Sequence, residues 1–354
     1  MGMLRLALAI IVVLVHAGKS IGIGGAYAVE FFFAISGYVI ALSLDKNTEY
    51  SNYIRFVKSR FLRIAPAYYV VCSILLLLSL TNINLIREVS ATFTAVGLTV
   101  KFQLFVANLT VISQDIVMFT GFVDGKHIFV SDFWSHQPLL FHGLLIPQAW
   151  SLSLEIYFYL IAPWVIRKRN LLVFLLVSSL LFKASGCVFG FLANDPWNYR
   201  FFPSELCMFL FGTVSYRYLQ KWRITNPLLA QVISFSFSGI VLISHRLEIK
   251  GLINGIILFV LLLVFLPTLA SIQKSSTFDS FCAKLSYPVY IVHLAIVELV
   301  ETLLQLNHLL VSPNVRVVFI IVLTLVAGYV IHHLVEVPVS RFVKDRWKTT
   351  LRTS

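Results

Sequence analysis

The chain has 354 residues, 58% of them hydrophobic and 12% charged, with a mean hydropathy of +0.87. These values exclude an ordinary soluble domain and describe an integral membrane protein built from many apolar segments. The formal net charge of +12 does not indicate nucleic acid, because polytopic membrane proteins collect Lys and Arg in their cytoplasmic loops for topological reasons.

In chain order, apolar segments near 4–20, 27–44, 65–83, 149–166, 170–190, 203–220, 229–245, 252–271, 284–306 and 314–335 predict about ten transmembrane helices in an all-α bundle. Their length and lack of period-two alternation favour helices over a barrel. The first run resembles a signal peptide in its basic start and small closing residues, but it carries His16 and no soluble domain follows it. The stretch near 90–113 is also apolar. Counted as a span it would place Arg167-Lys168-Arg169 outside, so it reads as a re-entrant or interfacial segment within a long outer region, about 84 to 148.

With the amino terminus inside, more than half of the 28 Lys and Arg fall on the cytoplasmic side, among them Arg60, Arg63, Arg167 and the closing cluster from Arg341 to Arg352. Both termini are then expected in the cytoplasm, with residues 1–340 as one transmembrane domain and 341–354 as a basic tail. Cys72, Cys187, Cys207 and Cys282 lie in or beside apolar segments without metal or redox spacing and read as small core residues. No metal site is expected.

Two polar residues bracket the first apolar run. Arg5 and His16 lie eleven helical positions apart, about 16 Å, or half the ~30 Å apolar thickness of a bilayer. If Arg5 lies at one face, His16 lies near mid-membrane, where an imidazole marks a protein-lined or wet path. An imidazole suits proton abstraction from a hydroxyl; it equally suits a structural hydrogen bond between helices. Glu30, a few residues into the second run, is the expected carboxylate partner that orients it.

Arg5, His16, Glu30-Phe31-Phe32-Phe33-Ala34-Ile35-Ser36-Gly37-Tyr38, Arg60-Phe61-Leu62-Arg63-Ile64-Ala65-Pro66, Trp150-Ser151-Leu152-Ser153-Leu154-Glu155 and Leu285-Ser286-Tyr287-Pro288-Val289-Tyr290-Ile291-Val292-His293 follow one another along the chain. In this order they resemble the membrane-bound acyltransferase-3 family, and the resemblance runs on to Glu336-Val337-Pro338. It implies about ten helices, an acyl-CoA donor taken from the cytoplasm without any permanently bound cofactor, and transfer to a sugar hydroxyl of an envelope polysaccharide or lipid-linked saccharide. A bacterial cytoplasmic membrane is the implied location, and homo-oligomerisation is left open.

Under that resemblance His16, Glu30 and Glu155 are the expected catalytic residues. Guanidinium forks suit the phosphates of coenzyme A, so Arg5, Arg60 and Arg63 are assigned to the donor together with Tyr287 and His293. Trp150, Ser153 and Arg200 are assigned to the acceptor. Trp150 reads equally as an interfacial belt residue, and His293 as a brace of the bundle. Ser36-Gly37 reads as a site of close helix approach, and Arg200 and Glu205 as either acceptor ligands or a structural pair. No SGNH-type esterase domain follows the helices, which leads to the expectation of direct delivery or a separate partner. A saccharide or lipid flippase is the competing class, since buried charges suit it too.

Overall fold

The computed structural model describes residues 1–343 apart from 82, 84, 187 and 245–250. Cys187, the basic tail beyond 343 and the end of the seventh predicted segment at 245 therefore lie outside the described residues. Those residues form twelve α-helices and one β-hairpin. The chain runs through α1 (Gly2–His16), α2 (Gly25–Lys46), α3 (Tyr53–Leu78), α4 (Arg87–Ala95), α5 (Leu98–Thr110), α6 (Trp150–Arg167), α7 (Arg169–Ser185) and α8 (Phe202–Tyr218). It ends in α9 (Pro227–Ile243), α10 (Gly251–Ser275), α11 (Thr277–Leu306) and α12 (Pro313–Ile331). Between α5 and α6, β1 (Thr120–Val123) pairs antiparallel with β2 (Lys126–Phe129). Asp124 and Gly125 take φ of 50° and 76° at the turn, as a two-residue hairpin requires.

Six helices, α2, α3, α6, α10, α11 and α12, are long and apolar enough to cross a membrane, and α1 and α9 are shorter apolar helices. The outward faces of α3, α7, α9 and α12 expose Leu77, Phe174, Phe235 and Val318, as lipid-facing surfaces do. The 90–113 stretch forms α4 and α5, of 9 and 13 residues, and each is too short to span on its own.

Capping explains where several helices start. Asn52 accepts from Arg55 N at 3.0 Å, so α3 begins at Tyr53, well before the expected 65, and carries Arg60 and Arg63 on the helix itself. Asn226 and Ser276 cap α9 and α11 in the same way. Asp279 of α11 reaches across to accept from Gly2 N at 2.7 Å and Met3 N at 2.9 Å, fixing the start of α1.

Close packing draws the helices around one core. A Cβ on Gly37 would fall 1.8 Å from Phe209 O, and one on Gly212 would fall 1.8 Å from Ala34 O. The α2–α8 crossing is therefore a backbone-to-backbone contact that only glycine permits, in keeping with the reading of Ser36-Gly37. Phe209 stacks between Phe33 (4.5 Å) and Phe158 (4.6 Å) at its centre. After α12 the helix widens into a π turn over His332–Glu336, a distortion frequent at functional sites.

Candidate active site

Three cavities lie in succession along α1. The first, of about 500 Å³, opens at the His16 end and is bordered by Trp134, Gln148, Trp150 and Arg200. The second, of about 50 Å³, lies among Phe32, Phe33, Ser151 and Leu152. The third, of about 40 Å³, is walled by Ser36, Arg60, Arg63 and Tyr159. Val29 and Tyr290 border both of the first two, and Arg5, Glu155 and Tyr287 border both of the last two. A run of shared walls thus leads from His16 to the arginines.

At the wide end, His16 Nδ1 lies 2.9 Å from Val12 O. A carbonyl oxygen can only accept, so Nδ1 carries the proton and Nε2 presents a lone pair to the cavity. The His293 ring stands 4.9 Å away, centroid to centroid, and its Nδ1 lies 2.6 Å from Tyr290 O. His293 is fully buried and its Nε2 has no partner among the described residues. Below the two rings, Tyr290 Oη and Ser151 Oγ lie 2.8 Å apart, and both reach the Gln148 carbonyl at 3.1 Å. Gln148 in turn donates to Ile291 O at 2.9 Å, tying the turn before α6 to α11.

At the narrow end, Arg60 is 8% exposed, donates to Ser43 Oγ and lies 5.3 Å over the Tyr50 ring and 5.4 Å over Phe56. Arg5 lies within electrostatic reach of Arg63, Glu155 and Glu336. Tyr159 donates to Glu155 Oε2 at 2.9 Å. Tyr287 donates to Ile64 O at 2.7 Å, which commits its hydroxyl to the α3 backbone. The Nε atoms of Arg5 and Arg60 are buried without partners among the described residues, donors suited to an anionic group.

Three expected assignments change. His293, assigned to the donor with the arginines, packs instead against His16 at the wide end and borders none of the three cavities. Glu30 does not pair with His16; its Oε1 accepts from Lys183 Nζ at 2.7 Å. The cause is helix phase. Val29, Phe32, Phe33 and Ser36 form the α2 stripe that borders the path, and Glu30 is turned about 100° from Val29, toward α7 and α8. Ser153 borders none of the three cavities either. It is fully buried, donates to Val111 O and accepts from Gln114 N at 3.2 Å. On α6 it shares its face with Tyr157, which donates to Asp115 Oδ1 at 2.9 Å and accepts from Ser113 N at 3.0 Å. Together they fasten the loop after α5, where Val111 and Ser113 take left-handed φ of 65° and 70°. Burial pushes the Asp115 carboxyl of that loop up to about 6, against the hydrogen bond from Tyr157.

Trp150 and Arg200 do border the wide cavity, but the Arg200 guanidinium covers the Trp150 ring at 4.6 Å and is itself held by Asp195. The exposed aromatic there is Trp134, 54% accessible. Trp134, Gln148, Tyr159 and Lys183 escaped the sequence reading. A lone Lys inside the apolar run 170–190 was the available signal for Lys183, because such a charge needs a carboxylate partner.

The chain matches the family model described as "Acyltransferase domain" (acyltransferase 3) over residues 2–333. It is similar to O-acetyltransferase OatA of Staphylococcus aureus strains NCTC 8325 / PS 47, COL and MRSA252, at 23% identity over 347 residues, covering 90% of this chain and 53% of each relative. The chain thus spans about half the length of these curated relatives. No solved structure matches.

Proposed function

Because the chain belongs to the acyltransferase 3 family, we propose that it is a membrane O-acyltransferase that moves an acyl group, acetyl in the simplest case, from acyl-CoA to a sugar hydroxyl of an envelope polysaccharide or lipid-linked saccharide. The observation that carries this reading is the run of shared walls between the arginine cluster and His16. Arg5, Arg60 and Arg63 engage the phosphates of the donor, and the thioester arm lies along the passage between Phe32, Ser151 and Tyr287. The acceptor occupies the wide cavity, its ring against Trp134 and its oxygens toward Arg200.

The reaction needs one base. His16 Nε2 takes the hydroxyl proton, the sugar oxygen bonds to the thioester carbonyl carbon, and the C–S bond then breaks. The departing thiolate takes the proton back from the imidazolium, so atoms and charge balance without an acyl-enzyme. The Val12 carbonyl does the orienting that Glu30 was expected to do, by keeping the proton on Nδ1. Glu155, held by the Tyr159 hydroxyl, balances part of the charge of the arginines.

The excess of Lys and Arg in alternate loops supports ten spans, with the arginine cluster and both termini on the cytoplasmic side of a bacterial membrane. The S. aureus relatives, named as O-acetyltransferases, support acetyl as the group carried. The test is full-length protein in nanodiscs with acetyl-CoA and envelope saccharides, scored for free CoA and ester-linked acetate. Acceptor-dependent release of both is expected. Movement of saccharide across a vesicle membrane without acyl-CoA, and no ester formed, would establish the flippase instead.

A further inference from the structure

Lys183 of α7 sits where α2, α7 and α8 meet, and its ammonium makes three hydrogen bonds. It donates to Glu30 Oε1 at 2.7 Å, to Glu205 Oε1 at 2.5 Å and to the backbone carbonyl of Asn198 at 2.9 Å. An ammonium has three protons, so each is used and the geometry is fixed. Glu205 is fully buried and its Oε2 has no partner among the described residues. As simple adhesive between helices this is a poor choice, because apolar side chains of similar volume often stabilise as well as a buried ionic cluster.

The third bond indicates what the cluster does. Asn198 belongs to no helix; it lies in the loop from Asp195 to Arg200, two residues before the guanidinium that covers Trp150. Asp195 holds Arg200 Nε at 2.8 and 3.0 Å, and the Tyr199 ring lies 5.3 Å from the guanidinium. Both Tyr199 and Arg200 border the wide cavity, whereas Glu30 borders none of the three. We infer that Glu30, acting through Lys183, is a positioning residue that holds the Asp195–Arg200 loop in place and so sets the affinity for the sugar acceptor. The inference rests on the reading of the wide cavity as the acceptor site.

The experiment compares wild type, Glu30→Gln, Glu30→Asp, Arg200→Gln and the Glu30→Gln/Arg200→Gln double variant as full-length protein in nanodiscs. Amide hydrogen exchange over 194–201 and steady-state kinetics with acetyl-CoA and envelope saccharide are read together. Glu30→Gln is expected to speed exchange in that loop at least tenfold and to raise the acceptor KM at least fivefold, leaving kcat and the acetyl-CoA KM within twofold. Glu30→Asp, which keeps the charge, gives intermediate values, and the double variant matches Arg200→Gln alone in acceptor KM. Unchanged exchange overturns the inference, as does a fall in kcat with the acceptor KM unmoved, or independent addition of the two substitutions. If wild type transfers nothing to any saccharide, the acyltransfer reading fails separately, while faster loop exchange in Glu30→Gln still supports the positioning role.

Discussion

The imidazoles of His16 and His293 meet with ring centroids 4.9 Å apart, and each commits its Nδ1 proton to a carbonyl in the preceding turn of its own helix, Val12 for one and Tyr290 for the other. The two rings are thus fixed in the same tautomer, and of the two only His16 borders the passage. His16 opens onto the wide cavity, whereas His293 is sealed behind it.

A buried acceptor without a partner costs about 1–3 kcal/mol; His293 borders none of the three cavities, so a donor to its Nε2 has to reach it past the His16 ring that packs against it. His293→Gln, which retains an acceptor, should keep at least tenfold more kcat/KM than His293→Phe. Equal rates in the two variants would make the ring a packing element only.

Trp134 offers the exposed aromatic face of the wide cavity, since Arg200 already covers Trp150. Loss of a ring that packs against a sugar is worth roughly 1–2 kcal/mol by its buried area. Trp134→Ala should therefore raise the acceptor KM about tenfold and leave the acetyl-CoA KM unchanged in initial-rate measurements.

Asp115 links stability to pH. Its carboxyl is pushed up to about 6 by burial from its ordinary 3.8, so the folded state prefers the protonated form. That contribution is fully present below pH ~4 and is lost as pH rises through about 6, at a total on the order of 2–3 kcal/mol. The unfolding midpoint in detergent should fall between pH 4 and 6 more steeply for wild type than for Asp115→Asn. Parallel curves would assign the slope to other groups.

Gly37 meets Phe209 O so closely that a methyl group has no room. Gly37→Ala should force α2 from α8 and lower stability by about 1–3 kcal/mol or more, read as a drop in the detergent unfolding midpoint. Gly239→Ala, with open space around its Cβ position, serves as the control and should shift it little.

Much of the helical layout was legible because apolar runs of membrane length announce themselves, and ten of the twelve helices coincide with the ten predicted segments to within several residues at most ends. The exceptions have physical causes. The Asn52 cap extends α3 back through Arg60 and Arg63, where a charged stretch reads as loop. The Arg5-to-His16 axis was legible because both residues lie on one helix. The partner of Glu30 was not, because Lys183 lies 153 positions away and only the rotation of α2 decides which neighbour a side chain meets. Ser153 differs from Ser151 by two positions on α6, yet one turns to the Val111 carbonyl and the other to Tyr290. Spacing alone carried no sign of that difference.

The central claim is that His16 Nε2 is the base that activates the acceptor hydroxyl. The direct measurement is kcat for saccharide-dependent CoA release by wild type and His16→Ala in nanodiscs, with acetyl-CoA saturating and folding checked by the unfolding midpoint. General-base catalysis is worth about 10²–10⁴-fold, so a fall of at least 100-fold with the unfolding midpoint preserved is the predicted result. Equal kcat in the two proteins would contradict it.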